Sequence, residues 1–171
     1  MPSPLENWGP QNRATCFRRF AQSLKEESKA VFLRDRTHGE MYFFVSDDGK
    51  AAVMPAPVDK DNDRDKATDQ LRQHIRDNNI YGFVHISESW TYFRQKPNDH
   101  TLRQITAGEI KVSELQPADR DEALFVTMET REGAHFVWLT PILRDGDVVT
   151  LGETLAFPDA PGGRFAGLFE L

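Results

Sequence analysis

The sequence predicts an α+β fold: a single antiparallel sheet of about six to seven strands, element order α-βββ-α-ββββ, with two helices packed on one face. Three observations carry this reading. Apolar residues recur at helical spacing in only two stretches. The strand-like runs are joined by short Asp-Gly and Glu-Gly turns, which return the chain antiparallel to itself. The chain has 171 residues, of which 39% are hydrophobic, enough for the core of one domain covering residues 1–171.

The first ten residues read as an N-terminal extension. Residues 12–27 read as a helix, with Asn12 as its cap and Ala14, Phe17, Phe20 or Ala21, and Leu24 on one stripe. Three short strands follow, at 30–34, 41–46 and 51–54, turning at Thr37-His38-Gly39 and Asp47-Asp48-Gly49. Pro55 and Pro57 stop the third strand. Asp59, Asp61 and Asp63 match the first three ligands of a calcium loop. Arg64 then stands where that loop needs glycine and Gln70 where it needs a bidentate glutamate, so the charge run reads as solvated. A second helix spans about 65–78, with Ala67, Leu71 and Ile75 inward.

Residues 80–93 form the longest strand, and 121–131, 134–143 and 148–157 three more. Residues 94–120 are a long polar connection. It reads as a lid, an interaction arm, or a stretch with hidden structure such as a short strand at 109–112. Residues 158–171 form a C-terminal arm that opens on Pro-Asp-Ala-Pro-Gly-Gly and ends in an apolar cluster with Phe165, Leu168 and Phe169.

Two-residue turns at Glu132-Gly133 and Asp145-Gly146 would set Glu129 against Phe136, Thr127 against Trp138, and Ile142 against Val149. One sheet face then carries Leu124, Val126, Met128, Val137, Leu139 and Leu143. The other carries Phe125, Phe136, Trp138, Ile142 and Leu151, with Glu129 and Glu153 among them. Strand residues alternate faces, so a slip of one residue would exchange these sets. A second face this apolar needs cover from the loop, the arm or another molecule. Phe136, Trp138, Phe165 and Phe169 are the interface candidates.

Glu88 stands among Val84, Ile86, Trp90 and Tyr92 on one side of the long strand. Carboxylates on apolar surface are desolvated and can serve as acids or bases. Glu88, Glu129 and Glu153 are therefore catalytic candidates, with His85 as a helper, each against the plainer reading of a structural ion pair to Arg94, Arg131 or Arg144. His85, Ser87 and Ser89 share the opposite side, but no Gly-x-Ser-x-Gly elbow presents a serine. The five histidines show no zinc-like spacing, and no glycine-rich phosphate loop occurs. No metal and no cofactor are expected.

The net charge of −6 argues against a nucleic-acid partner. The basic residues Arg13, Arg18, Arg19 and Lys25 read as a solvated helix face. Cys16 is the only cysteine, which suits a reducing compartment, and reads as a small core residue. The N-terminus lacks the pattern of a signal peptide, and no stretch is long and apolar enough for a membrane span. A cytoplasmic protein without a membrane partner is expected.

Two stretches carry a resemblance: Val84-His85-Ile86-Ser87-Glu88-Ser89-Trp90, and Pro117-Ala118-Asp119-Arg120-Asp121-Glu122-Ala123-Leu124 running on through Val126 to Gly133. Together they resemble a group of small bacterial and phage-associated proteins of uncharacterised activity. The resemblance implies a bacterial, cytoplasmic setting and a structured place for Glu88, Trp90 and Arg120. It implies no activity and no cofactor. The sequence thus points to a non-catalytic module that self-associates or binds a protein partner. The alternative is a small-molecule-binding protein or hydrolase-like enzyme with buried carboxylates between sheet and long loop.

Overall fold

A computed structural model describes residues 5–55, 64–92, 99–158 and 168–169. Helix α1 spans Arg13–Asp35, strands β1 and β2 span Met41–Ser46 and Ala51–Pro55, and helix α2 spans Arg64–Asp77. Strand β3 (Ile80–Thr91), helix α3 (His100–Thr106), β4 (Asp121–Thr130), β5 (His135–Asp145), β6 (Val148–Leu151) and β7 (Leu155–Pro158) follow. The strands form one antiparallel sheet in the order β2-β1-β3-β4-β5-β6, with β7 also paired to β5. The predicted α+β class and single sheet are what the structure has.

Several elements differ from the sequence reading. Residues 30–34 are helical, because the buried stripe of α1 does not stop at Leu24 but continues through Ser28 to Phe32. Ser28 looks like a break in that stripe, yet its hydroxyl is satisfied locally by donating to the Lys25 carbonyl at 2.8 Å. The helix ends where Arg36 turns left-handed at φ 62° and donates its N–H to the Phe32 carbonyl. Within 94–120 the hidden structure is helical: α3 and two 3₁₀ turns at Val112–Glu114 and Pro117–Asp119, with no strand at 109–112. Most of the acidic run, residues 59–63, lies outside the described residues.

The two helices pack on opposite faces, not on one. Phe17, Ala21, Leu24 and Phe32 of α1 join Val45, Val84, Ile86, Leu124, Val126, Met128, Trp138 and Ile142. Leu71 and Ile75 of α2 join Tyr42, Phe44, Ile80 and Phe83, and Leu168 of the tail completes that cluster. Phe44 and Val45 are neighbours in one strand, so their side chains point to opposite faces and each calls for its own helix.

Register explains the rest. The β4–β5 hairpin pairs Glu129 with His135 and Val126 with Trp138, one residue away from the predicted pairing. Its loop has three residues, because Gly133 (φ 82°) takes the left-handed position of a bulged turn closed by Thr130 and Ala134. The slip exchanges the faces of β5 relative to β4, and Phe136 and Trp138 turn toward α1. The β5–β6 turn falls on Gly146-Asp147 and pairs Asp145 with Val148, a shift of two that leaves the faces unchanged. The predicted strand 148–157 splits into β6 and β7 opposite Pro141. The Pro141 carbonyl accepts from Gly152 N–H at 2.8 Å, so its proline nitrogen also faces the edge strand and offers no donor there.

A bulge in β3 seats α1. The register against β1 shifts between Val45 and Ser46, and Gly82 then lies directly beneath Phe17. Tyr81 meets Phe17 and Trp8 edge-on, at centroid distances of 5.8 and 5.4 Å. Its hydroxyl donates to Glu132 at 3.0 Å, while Arg13 donates to the same carboxylate and lies over the Tyr81 ring. Arg13 and Arg131 both meet Asp47, and Trp8 Nε1 donates to the Asp47 carbonyl at 2.8 Å. Burial, then the Glu132 carboxylate, pushes the Tyr81 hydroxyl up to about 12. The hydrogen bonds from Arg13 and then Tyr81 hold Glu132 below the usual carboxylate range.

A Cβ at position 82 would stand 2.6 Å from the Phe17 ring and 3.0 Å from the Glu129 carbonyl oxygen. Gly82→Ala should therefore cost about 1–3 kcal/mol by overpacking, seen as a lower urea midpoint at unchanged m-value. An unchanged midpoint would show that α1 is free to shift. The raised Tyr81 pKa stabilises the fold fully below the unfolded value near 10 and loses that effect as pH climbs toward 12. Tyr81→Phe should cost about 1 kcal/mol at neutral pH and flatten the alkaline fall in stability, measured by urea unfolding at pH 7 and across pH 10–12. An equally steep alkaline fall in the variant would place the titration elsewhere.

Candidate functional site

The outer strands carry the most conspicuous unfilled surface. Leu139 pairs with Leu155, Val137 with Phe157, and Asp145 with Val148. Directly opposed residues share a face, so Leu143, Val148, Leu155 and Phe157 all lie on the face turned away from α1. These four side chains are exposed, at 42–60%. Helix α2 covers that face only over β1 and β3. The apolar second face expected from the sequence is therefore present and includes Leu155 as expected, but β5 and β6 turn the other set of residues toward it. Phe136 and Trp138 pack against each other at 4.5 Å beneath α1, where Arg18 and Lys25 lie over their rings. The basic face of α1 is accordingly part of the core's cover. Phe169 packs on Phe83 at 6.2 Å, and Phe165 lies outside the described residues.

The carboxylate candidates separate. Glu88 shares the α1 face with Val84 and Ile86, just past the end of α1. It accepts from the His38 N–H at 3.2 Å and the Thr37 hydroxyl at 3.3 Å, and it pairs with Arg144. Arg144 also binds Glu122, a carboxylate not singled out from the sequence. Glu122 pairs with Trp90 across the ladder, so the signal lay in register. Thr37, His38, Glu88, Ser89, Trp90 and Glu122 line an open hollow of about 290 Å³, and Arg120 lies over the Trp90 ring at 4.0 Å. Glu88, Trp90 and Arg120 do occupy one structured place. Glu129 is buried on the opposite face beside Phe83, and Glu153 is exposed in the β6–β7 connection. The three carboxylates do not form one constellation.

His85 lies on the α2 side, 4% exposed and stacked on Tyr42 at 4.9 Å. Its Nε2 meets Glu40 at 2.9 Å, and the Tyr42 hydroxyl donates to the same Glu40 oxygen at 3.2 Å. Glu40 thus ties two aromatic side chains of adjacent strands together. Cys16 is buried, with its thiol 3.6 Å from the Glu6 carbonyl. Among the described residues no group of three His, Cys, Asp or Glu side chains is arranged to hold a metal ion, and no helix is long and apolar enough to cross a membrane.

The Glu88–Arg144–Glu122 cluster links β3, β4 and β5, and Glu88 adds the Thr37–His38 segment just past α1. Arg144 is 40% exposed in its side chain, so solvent screening keeps each pair weak. A double-mutant cycle of Arg144→Met and Glu122→Gln, read by urea denaturation, should give a coupling of about 0.5–1 kcal/mol. Coupling within error of zero would mean that the Arg144–Glu122 pair does not join β5 to β4 energetically.

No curated protein and no solved structure matches the chain. A family model described as bacteriophage lambda protein ea47 matches residues 11–171 and so spans all three α-helices, the whole sheet and the described tail residues. The chain therefore belongs to the bacteriophage lambda protein ea47 family.

Proposed function

We propose that this phage-family protein is a non-catalytic module that self-associates through its β6–β7 edge. The observation that carries the reading is the exposed set Leu143, Val148, Leu155 and Phe157, gathered on one face at one edge of the sheet. An edge strand offers unpaired backbone donors and acceptors, and natural edges are usually guarded by charge. Strand β7 reads Leu155-Ala156-Phe157-Pro158 and contains no charged residue. A second copy satisfies both requirements: a two-fold axis lets the same strand pair antiparallel with itself and brings the two apolar strips together. The scattered carboxylates and the structural role of Glu40 beneath His85 favour binding over catalysis.

Light scattering coupled to gel filtration should give a mass twice that of one chain. The paired substitution Leu155→Lys, Phe157→Lys should halve that mass while leaving the far-ultraviolet dichroism unchanged. A wild-type protein that stays monomeric at the highest concentration reached would sink the proposal.

A further inference from the structure

The opposite edge of the sheet has a different character. We infer that β2 and α2 form a groove that accepts an extended polypeptide segment of another protein as an added strand. The inference does not depend on self-association at β6–β7.

The backbone of β2 sets the chemistry of the occupant. Ser46 N–H donates to the Lys50 carbonyl at 3.0 Å, and the ladder continues with Val45 opposite Ala51, Phe44 opposite Ala52 and Phe43 opposite Val53. Antiparallel pairs alternate between hydrogen-bonded and non-bonded, starting from that closing contact. Ala52 and Met54 thus bond inward to β1, while the N–H and C=O groups of Ala51 and Val53 point outward. Among the described residues β2 is paired with β1 alone, and Ala51 and Val53 are both exposed. Two outward residues offer two donors and two acceptors in the geometry that only another strand matches. Pro55 has no N–H and ends the series.

The side chains supply the second half of the groove. Ala52 and Met54 face α2, since they pair with Phe44 and Tyr42. Met54 packs against the α2 cluster, but Ala52 is too short to reach it. An open cavity of about 300 Å³ remains between Ala52 and the last turn of α2. Its floor is Phe44, whose ring meets His74 at 4.7 Å, and Ile80 and Asn78 line it further. A strand added to β2 would turn alternate side chains toward α2, and the one opposite Ala52 would enter this cavity. The apolar floor selects an aliphatic or aromatic side chain there. Lys50 and Asp48 at the mouth neutralise each other, so the groove requires no particular charge from its ligand.

The test uses the full-length chain and a displayed library of random ten-residue peptides, ten being roughly the longest strand common in proteins. Selected peptides should carry an apolar residue flanked by β-formers and should slow amide hydrogen exchange at Ala51 and Val53. Ala52→Trp, which fills the cavity, and Val53→Pro, which removes one outward donor, should each weaken binding roughly tenfold or more. Ala52→Trp changes only an exposed side chain, so it keeps the test decisive if Val53→Pro fails to fold. Absence of enrichment, or affinity unchanged by Ala52→Trp, would overturn the inference. So would peptide protection at β7, or wild-type self-association abolished by Ala52→Trp, which would assign the groove to a second copy.

Discussion

The seating of Phe17 on Gly82 is the contact from which the rest of the architecture follows. It requires a residue without a side chain in β3, a bulge that turns Tyr81 to the same side, and a helix crossing the sheet at that point. The polar groups at the rim, Arg13, Glu132, Asp47 and Arg131, fix the same crossing from outside. Once α1 lies there, it closes one whole face from β1 to β6. The apolar residues Tyr42, Phe44 and Phe83 on the reverse then need separate cover, and α2 supplies it. Helix α2 is short and reaches only one end of the sheet. Over β5–β7 the same face keeps Val137 and Leu139 buried and leaves Leu143, Val148, Leu155 and Phe157 exposed.

Much of this was legible in the sequence, and the failures have local causes. Helical periodicity found α1 and α2 but not α3, and alternation found β1 to β5 while reading β6 and β7 as one strand. The misread stretch 30–34 shows why polar residues do not always mark the end of a stripe: Ser28 is buried because a helix can satisfy a hydroxyl internally. The hairpin register turned on Gly133 alone. Glu-Gly fits both a two-residue and a three-residue loop, and the choice decides whether Trp138 is core or surface. The sequence read both sheet faces as apolar, which they are, but exchanged the residues of β5 and β6: Phe136, Trp138, Val149 and Leu151 lie under α1, and Leu143 lies on the reverse face. Glu88 was visible as a carboxylate among apolar residues. Its partner Arg144 was among the cations the sequence offered, but Glu122, which shares that arginine from another strand, needed the correct register to be found.

The two edges of the sheet show how an open sheet limits its own pairing. The three edge strands β2, β6 and β7 are short, and β2 and β7 end in proline, at Pro55 and Pro158. Proline ends the row of donors, so an added strand cannot extend indefinitely along either edge. Pro141 acts in the same way inside β5, where it divides the outer edge into two short segments. With the net charge of −6 keeping molecules apart at long range, any association through the edges would be confined to short, locally uncharged segments. Such an arrangement suits pairing with a defined partner and opposes uncontrolled edge-to-edge growth. The same prolines that would limit edge-to-edge growth would therefore also set the length of a strand added at either edge.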